Sequence, residues 1–191
     1  MIKWLEYTDQ WADVKRSARS TINKDGAGKY PSDEWKKQIL LAEHSPIRKI
    51  HVSWQWHYLK SWVSVHFVRH HIGINHFVQT QRTDRTGIDR DKLPQSNYVK
   101  HECEANAQAL INISRKRLCL GQPAPETRKA WEEVKEEISR HDPILALCMV
   151  KECIYRGFCP EMRPACKYAD TAKFREQLEK YRSVCKSQEN K

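Results

Sequence analysis

Long apolar runs are what this chain of 191 residues most lacks. At its N-terminus, Met1-Ile2-Lys3-Trp4-Leu5-Glu6-Tyr7, charges interrupt every apolar pair, which excludes both a signal-peptide stretch and a spanning helix there. A cytoplasmic protein with no membrane partner is expected. Acidic residues are in deficit, 24 Asp+Glu against 34 Lys+Arg, for a formal charge of +10. With a mean hydropathy of −0.81 the surface is very polar, and an anionic partner is expected. Charge alone does not choose among a nucleotide, a nucleic acid and an acidic membrane face. There is no internal repeat and no low-complexity tract, so one domain of ordinary size is the working frame. The seven cysteines are odd in number, which speaks against a disulfide framework in a reducing compartment. Four of them, Cys148, Cys153, Cys159 and Cys166, have spacings wider than the C-x2-C pairs of most zinc sites. Buried or free thiols are favoured over a bound metal, and no metal ligand is assigned.

The pattern of apolar residues places the elements. Trp11, Val14 and Ala18 predict a helix over Thr8 to Ser20, capped by Thr8. Turn chemistry from Asn23 to Pro31 precedes a second helix that Ser32 caps, with Trp35, Ile39 and Ala42 on one face and an end near His44. Ile50, Val52, Trp54 and Trp56 alternate with polar residues, the mark of a strand with one buried face. These tryptophans are read as packing residues, and His51 and His57 as half-exposed sheet residues. Helical spacing returns from Lys60 to His70, and Gly73 to Arg85 reads as a loop lining a site. Two further helices, Ala105 to Leu118 and Glu126 to Arg140, flank the breaker run Gly121 to Pro125. The pattern dissolves from Cys148 to Tyr168. Asp170 is then expected to cap a last helix with a stripe of Phe174, Leu178, Tyr181 and Cys185.

The chemistry concentrates between these elements. Arg69-His70-His71, followed by Gln79-Thr80-Gln81-Arg82, gathers guanidinium groups, imidazoles and small polar side chains, and Arg90 lies just beyond. Arginine suits phosphate because its planar fork makes two parallel charge-assisted hydrogen bonds. Asn106, Asn112 and Arg117 lie along one predicted helix and are expected on a common face.

These fragments resemble, in order, the motifs of the flavin-dependent thymidylate synthases. Arg69-His70-His71 and Thr80-Gln81-Arg82 are similar to that family's Arg-His-Arg and Ser-x-Arg signature. Asp89-Arg90-Asp91-Lys92-Leu93-Pro94 resembles its Ala-Arg-x-x-Leu-Pro, and Asn106 to Asn112 with Arg117 its Asn-x-Arg-x-Leu-x-Asn helix. Ala18-Arg19-Ser20-Thr21 and Glu43-His44-Ser45-Pro46 match two upstream segments, so the resemblance runs from Val14 to Arg140. Five ordered matches with two kept distances outweigh any single fragment.

The resemblance implies an α+β fold with helices around a small, mostly antiparallel sheet. It implies a domain over residues 1-168, including the cysteine segment 148-168, and a C-terminal helix over 169-191. It also implies a homotetramer acting on dUMP with FAD, NADPH and methylenetetrahydrofolate, nucleic acid not being the expected partner. Carried over residue by residue, Thr21, Ser45, Arg69, His70, His71, Asn106 and Asn112 would face the flavin. His66, Thr80, Gln81, Arg82, Arg90 and Arg117 would hold the nucleotide, and Arg69, His70, Thr80 and Arg82 would carry the catalytic positions. His71 stands where the signature has an arginine, Ile74 and His76 where small polar or acidic residues are usual, and Arg48 where glutamate is usual. Only seven residues separate Arg82 from Arg90, where the family carries a longer segment. That shortening bears on the folate and NADPH steps more than on nucleotide or flavin binding. The rival readings are another flavin reaction on a pyrimidine nucleotide, a non-catalytic nucleotide or nucleic-acid binder, and a zinc-stabilised interaction module.

Overall fold

A computed structural model describes residues 1–163 and 166–183. Its centre is a four-stranded antiparallel sheet of order β1-β2-β4-β3, formed by β1 (Ile2–Tyr7), β2 (His51–Lys60), β3 (Ile74–Val78) and β4 (Tyr98–Asn106). The alternation read around Trp54 belongs to β2, where Val52, Trp54 and Trp56 are all fully buried. The other three strands escaped the sequence reading, each for a physical reason. β4 does alternate, but its inward residues are Val99, His101, Cys103 and Ala105, so two of four are types that do not register as core. β1 and β3 are edge strands, only partly buried, and β3 lies inside the segment expected to be a loop.

Helices cover the sheet. α1 (Trp11–Ser20) begins three residues later than expected, because Asp9 rather than Thr8 receives the Trp11 N–H, at 3.0 Å. α2 (Asp33–Leu41) is capped as expected by Ser32, whose Oγ accepts the Trp35 N–H at 3.3 Å. α3 (Ser61–Val68) follows β2 directly, and a single turn, α4 (Thr83–Thr86), follows β3. α5 (Ala107–Arg117) starts where β4 ends, and α6 (Pro125–His141) is the longest helix described. The stretch expected to be irregular holds two short helices, α7 (Pro143–Cys148) in part and α8 (Glu152–Arg156). α9 (Ala172–Arg182) is capped by Thr171 instead of Asp170, its Oγ1 accepting the Phe174 N–H at 3.1 Å. Phe174 and Tyr181 are buried as the stripe requires, while Cys185 lies outside the described residues.

The main core forms between the sheet and α3, α5 and α6. Trp54 meets Trp56 and Trp131 edge-on at 5.5 and 5.7 Å between ring centroids, and Phe67 stacks on Trp56 at 4.6 Å. Buried aromatics of this kind are each worth roughly 3–5 kcal/mol against truncation to alanine. Trp131 Nε1–H donates to Ser114 Oγ at 2.9 Å, and Trp11 Nε1–H and Tyr7 O–H both donate to buried Asp142, at 2.8 and 2.7 Å, whereas Trp54 Nε1 has no partner among the described residues. Asp142 Oδ1 also caps α7 through the Leu145 N–H, 2.9 Å. A second, smaller cluster of Val150, Ile154, Tyr168, Phe174 and Tyr181 holds the C-terminal region. No helix among the described residues is long and apolar enough to cross a membrane.

Candidate functional site

Two junctions of the fold set the site. In the first, β4 turns into α5 at Asn106, whose Oδ1 caps the helix by accepting the Ala109 N–H at 2.9 Å. The chain before β3 comes so close here that Gly73 C=O accepts the Asn106 N–H, 2.9 Å. Only glycine fits: Gly73 has φ +72°, and a Cβ on it would stand 2.7 Å from Asn106 Nδ2. In the second junction, α3 ends and Arg69-His70-His71 turns toward β3, facing the last turn of α5.

The sequence-predicted residues fall into separate places around these junctions. His70 and Arg117 meet directly: Arg117 Nε–H donates to His70 Nε2 at 2.9 Å, and an Arg117 terminal nitrogen donates to the His66 carbonyl. Their cavity, about 380 Å3, is also lined by Arg115, Lys116, Gln122 and Glu161. It is cationic and of the size range of small-molecule sites. Asn106 and Asn112 line another cavity, about 540 Å3, with Glu43, Arg48, Gly73 and Gln108. Thr21 and Ser45 line a third, about 980 Å3, whose walls include Trp35, Ile39 and Pro46. The second and third share the segment Ala42 to Arg48 as a common wall.

Arg69, His71, Thr80, Arg82 and Arg90 are exposed, and the structure does not bring them into these cavities. Arg82 pairs with its neighbour Asp84 through two bonds of 3.0 and 2.7 Å, and its N–H reaches Thr80 Oγ1 at 3.2 Å. Arg90 is held near by its backbone, which donates to Thr83 Oγ1 at 3.2 Å. Gln81 touches α3 through Ser61, 3.5 Å, and His71 only bonds back to the Arg69 carbonyl at 3.2 Å.

The common face expected for Asn106, Asn112 and Arg117 is corrected. Asn106 is the cap, outside the helix, and shares its cavity with Asn112, while Arg117 points to the His70 cavity. Eleven residues at 1.5 Å rise put roughly 16 Å between the two ends, whatever their angular agreement. What links the two cavities is Arg115, which the sequence reading did not select. It donates to Glu43 and to Asn112 Oδ1 (3.2 Å), its guanidinium sits 3.5 Å over the Tyr155 ring, and its Nε has no partner among the described residues. Its signal was the basic last turn Arg115-Lys116-Arg117, of which only the last was weighed.

The electrostatics disfavour protonation of His70 and His66. His70 is pushed down to about 4, first by burial and then by the Arg117 charge. His66 is also lowered by burial and by Arg117 and Arg69, while its Nδ1 meets Thr127 Oγ1 at 2.8 Å. Burial lowers Arg117 in turn, with Arg69 adding repulsion.

Behind His70 lies a buried chain missed in the sequence. His76 Nε2–H donates to the His70 carbonyl at 2.6 Å, so its Nδ1 must accept, from His101 Nε2–H at 3.0 Å. His101 Nδ1 then accepts from Ser64 Oγ–H at 3.0 Å, and Cys103 Sγ lies 3.3 Å from His76 Nδ1. The ligand atoms of His76, His101 and Cys103 lie within 4.8 Å of one another, but the ring nitrogens already have hydrogen-bond partners. The chain reaches the Arg69-His70-His71 turn through the His70 carbonyl.

Compared with known proteins, the chain matches no family model and no characterised protein by sequence. Its three-dimensional likenesses are definite. The UMP/dUMP methylase PolB of Streptomyces cacaoi, bound with 5-Br dUMP, superposes with a TM-score of 0.60 at 14% identity, over 81% of this chain and 95% of that one. The flavin-dependent thymidylate synthase ThyX of Helicobacter pylori, complexed with FAD and dUMP, gives 0.59 at 11% identity, over 79% and 99%. This chain has the flavin-dependent thymidylate synthase fold. The α+β arrangement expected from the motifs is thus the one observed, and the ThyX-like fold covers nearly the whole length of both relatives.

Proposed function

We propose that this chain binds a pyrimidine nucleotide and FAD, and acts as a thymidylate synthase-like methyltransferase on C5 of dUMP. In this reading methylenetetrahydrofolate supplies the carbon and NADPH the electrons. The observation that carries it is Arg117. Of its five N–H donors, two are spent on His70 and the His66 carbonyl, so three remain for the cationic cavity. A half-buried guanidinium held through Nε and one terminal nitrogen, with its other N–H groups unengaged, is a preorganised receptor for a planar acceptor edge or a phosphate. Neutral His70 keeps Arg117 in place without competing for the anion.

The residues present fit FAD. The Gly73 approach, which any Cβ would block, keeps open the 540 Å3 cavity where Asn112 and Arg48 offer donors. Thr21 and Ser45 add hydroxyls to a neighbouring cavity whose Trp35 and Ile39 suit a flat ring. Asn106 and Asn112 would hold the ring edge, and Thr21, Ser45 and Arg48 the phosphates. Bound there, the flavin supplies the electrons that turn a one-carbon unit into a methyl group. Arg69, His71, Thr80, Arg82 and Arg90 are exposed, which suits a site completed by a second subunit in a homotetramer.

The test is tritium release from [5-³H]dUMP with FAD, NADPH and methylenetetrahydrofolate, parent against Arg82→Ala. Release by the parent alone supports the reading; retention of tritium with FAD and dUMP both bound refutes it. The single turn of α4 between Arg82 and Arg90 favours, as second reading, a different flavin reaction on the same nucleotide.

A further inference from the structure

The cysteines expected to form one run along the chain do not stay together. Cys148 is buried in the main core at the end of α7, where desolvation pushes its thiol up to about 12. Its place is taken by Cys119, which follows the end of α5. Cys119, Cys153, Cys159 and Cys166 line one small cavity of about 20 Å3. They come from three segments: the end of α5, α8, and the stretch between Gly157 and Lys167. Four of the six described cysteines, all free thiols, therefore line one space of the size of a single ion, although no three of their sulfurs stand at the ligand spacing of the His76, His101 and Cys103 cluster.

The convergence has structural consequences. A divalent cation bound by all four would tie the three segments together. Residues 157–163 and 166–167 form no helix or strand, and the region they cross has a core of only five buried side chains. A metal staple would tie such a segment to so small a core. Lys151, at the same cavity, offers compensating positive charge.

We propose that Cys119, Cys153, Cys159 and Cys166 bind one zinc ion as a structural tetrathiolate. Four thiolates and no open position are the pattern of a structural zinc, and soft sulfur ligands favour it over harder divalent ions. Each thiol gives up its proton on binding, with no change of oxidation state. Binding draws the four sulfurs to Zn–S bonds of about 2.3 Å. Cys119 and Glu161 also line the Arg117 cavity, so the ion anchors that cavity's rim from behind. This site shares no residue with the His76, His101 and Cys103 cluster.

The protein, expressed with zinc in the medium and purified without chelator, should carry one zinc per chain by elemental mass spectrometry. Replacement by Co²⁺ should give the intense thiolate-to-metal charge transfer and strong visible bands of a tetrahedral four-sulfur site. Cys159→Ser combined with Cys166→Ser should lose the metal and lower Tm, while Cys148→Ser and His101→Gln keep it. Should the double variant not fold, mercurial titration of the parent replaces it: zinc must be released in step with modification of four thiols. Substoichiometric zinc, stoichiometric iron, a disulfide among the four, weak cobalt bands of a nitrogen-rich site, or zinc kept by the double variant would each overturn the proposal.

Discussion

Replacing Arg117 by alanine separates the site's parts. The variant removes the two donors that hold His66 and His70 and the three that make no bond among the described residues. Loss of a charge-assisted hydrogen bond to a bound nucleotide costs about 2 kcal/mol or more, so dUMP should bind roughly 30-fold more weakly. Stability should fall by only about 1–2 kcal/mol, because His70 Nε2 loses its donor in a half-buried place that water can reach. A third effect is spectroscopic. Arg117 is the second cause, after burial, of the depressed His70 pKa, so in the variant that pKa should rise from about 4 toward the ordinary 6.5. Lysine at 117 should restore the charge but not the affinity, since a point charge cannot replace the fork. Calorimetry gives the affinity, thermal melting the stability, and NMR titration of the ring protons the pKa. Parent-like dUMP affinity in both Arg117→Ala and Arg90→Ala, with folding intact, would refute the nucleotide assignment.

Three further outcomes follow from named contacts. His101 is fully buried and lowered from 6.5 to about 4 by desolvation, with His76 adding, so the unfolded chain takes up its proton first as pH falls. Its contribution is complete above pH 6.5 and is lost between there and about pH 4, at most about 3 kcal/mol; urea melts at pH 7.5 and 4.5 should show this, and His101→Gln should lessen the loss, the part due to His70 remaining. Gly73→Ala should destabilise by about 1–3 kcal/mol, combining positive φ with the 2.7 Å clash at Asn106, and should abolish flavin colour before it abolishes folding. Flavin retained at parent level in a folded variant would count against the placement of FAD. A tetramer is expected by light scattering at micromolar concentration, and a monomer there would contradict a site completed between subunits.

Much of the architecture was legible because it follows from local chemistry. The alternation in β2, the Ser32 cap and the 3.6-residue spacing of Trp131, Val134 and Ile138 each report a physical period or a single hydrogen bond. The ordered arginine and amide motifs carried the fold, because their separations are set by the same strands and helices that the structure displays. β4 was hidden, because His101 and Cys103 face the core only where Ser64 and His76 are present to receive them. Those partners are 25 to 37 residues away. Arg115, Glu43 and the tie of Tyr7 and Trp11 to Asp142 likewise depend on chain segments that meet only after folding. The cysteines show the division best. Sequence order grouped Cys148 with Cys153, Cys159 and Cys166; packing withdrew Cys148 into the core and brought Cys119 to the other three. Residue type and local period are properties of the sequence, whereas which groups share a cavity depends on how α5, α8 and the sheet pack against one another.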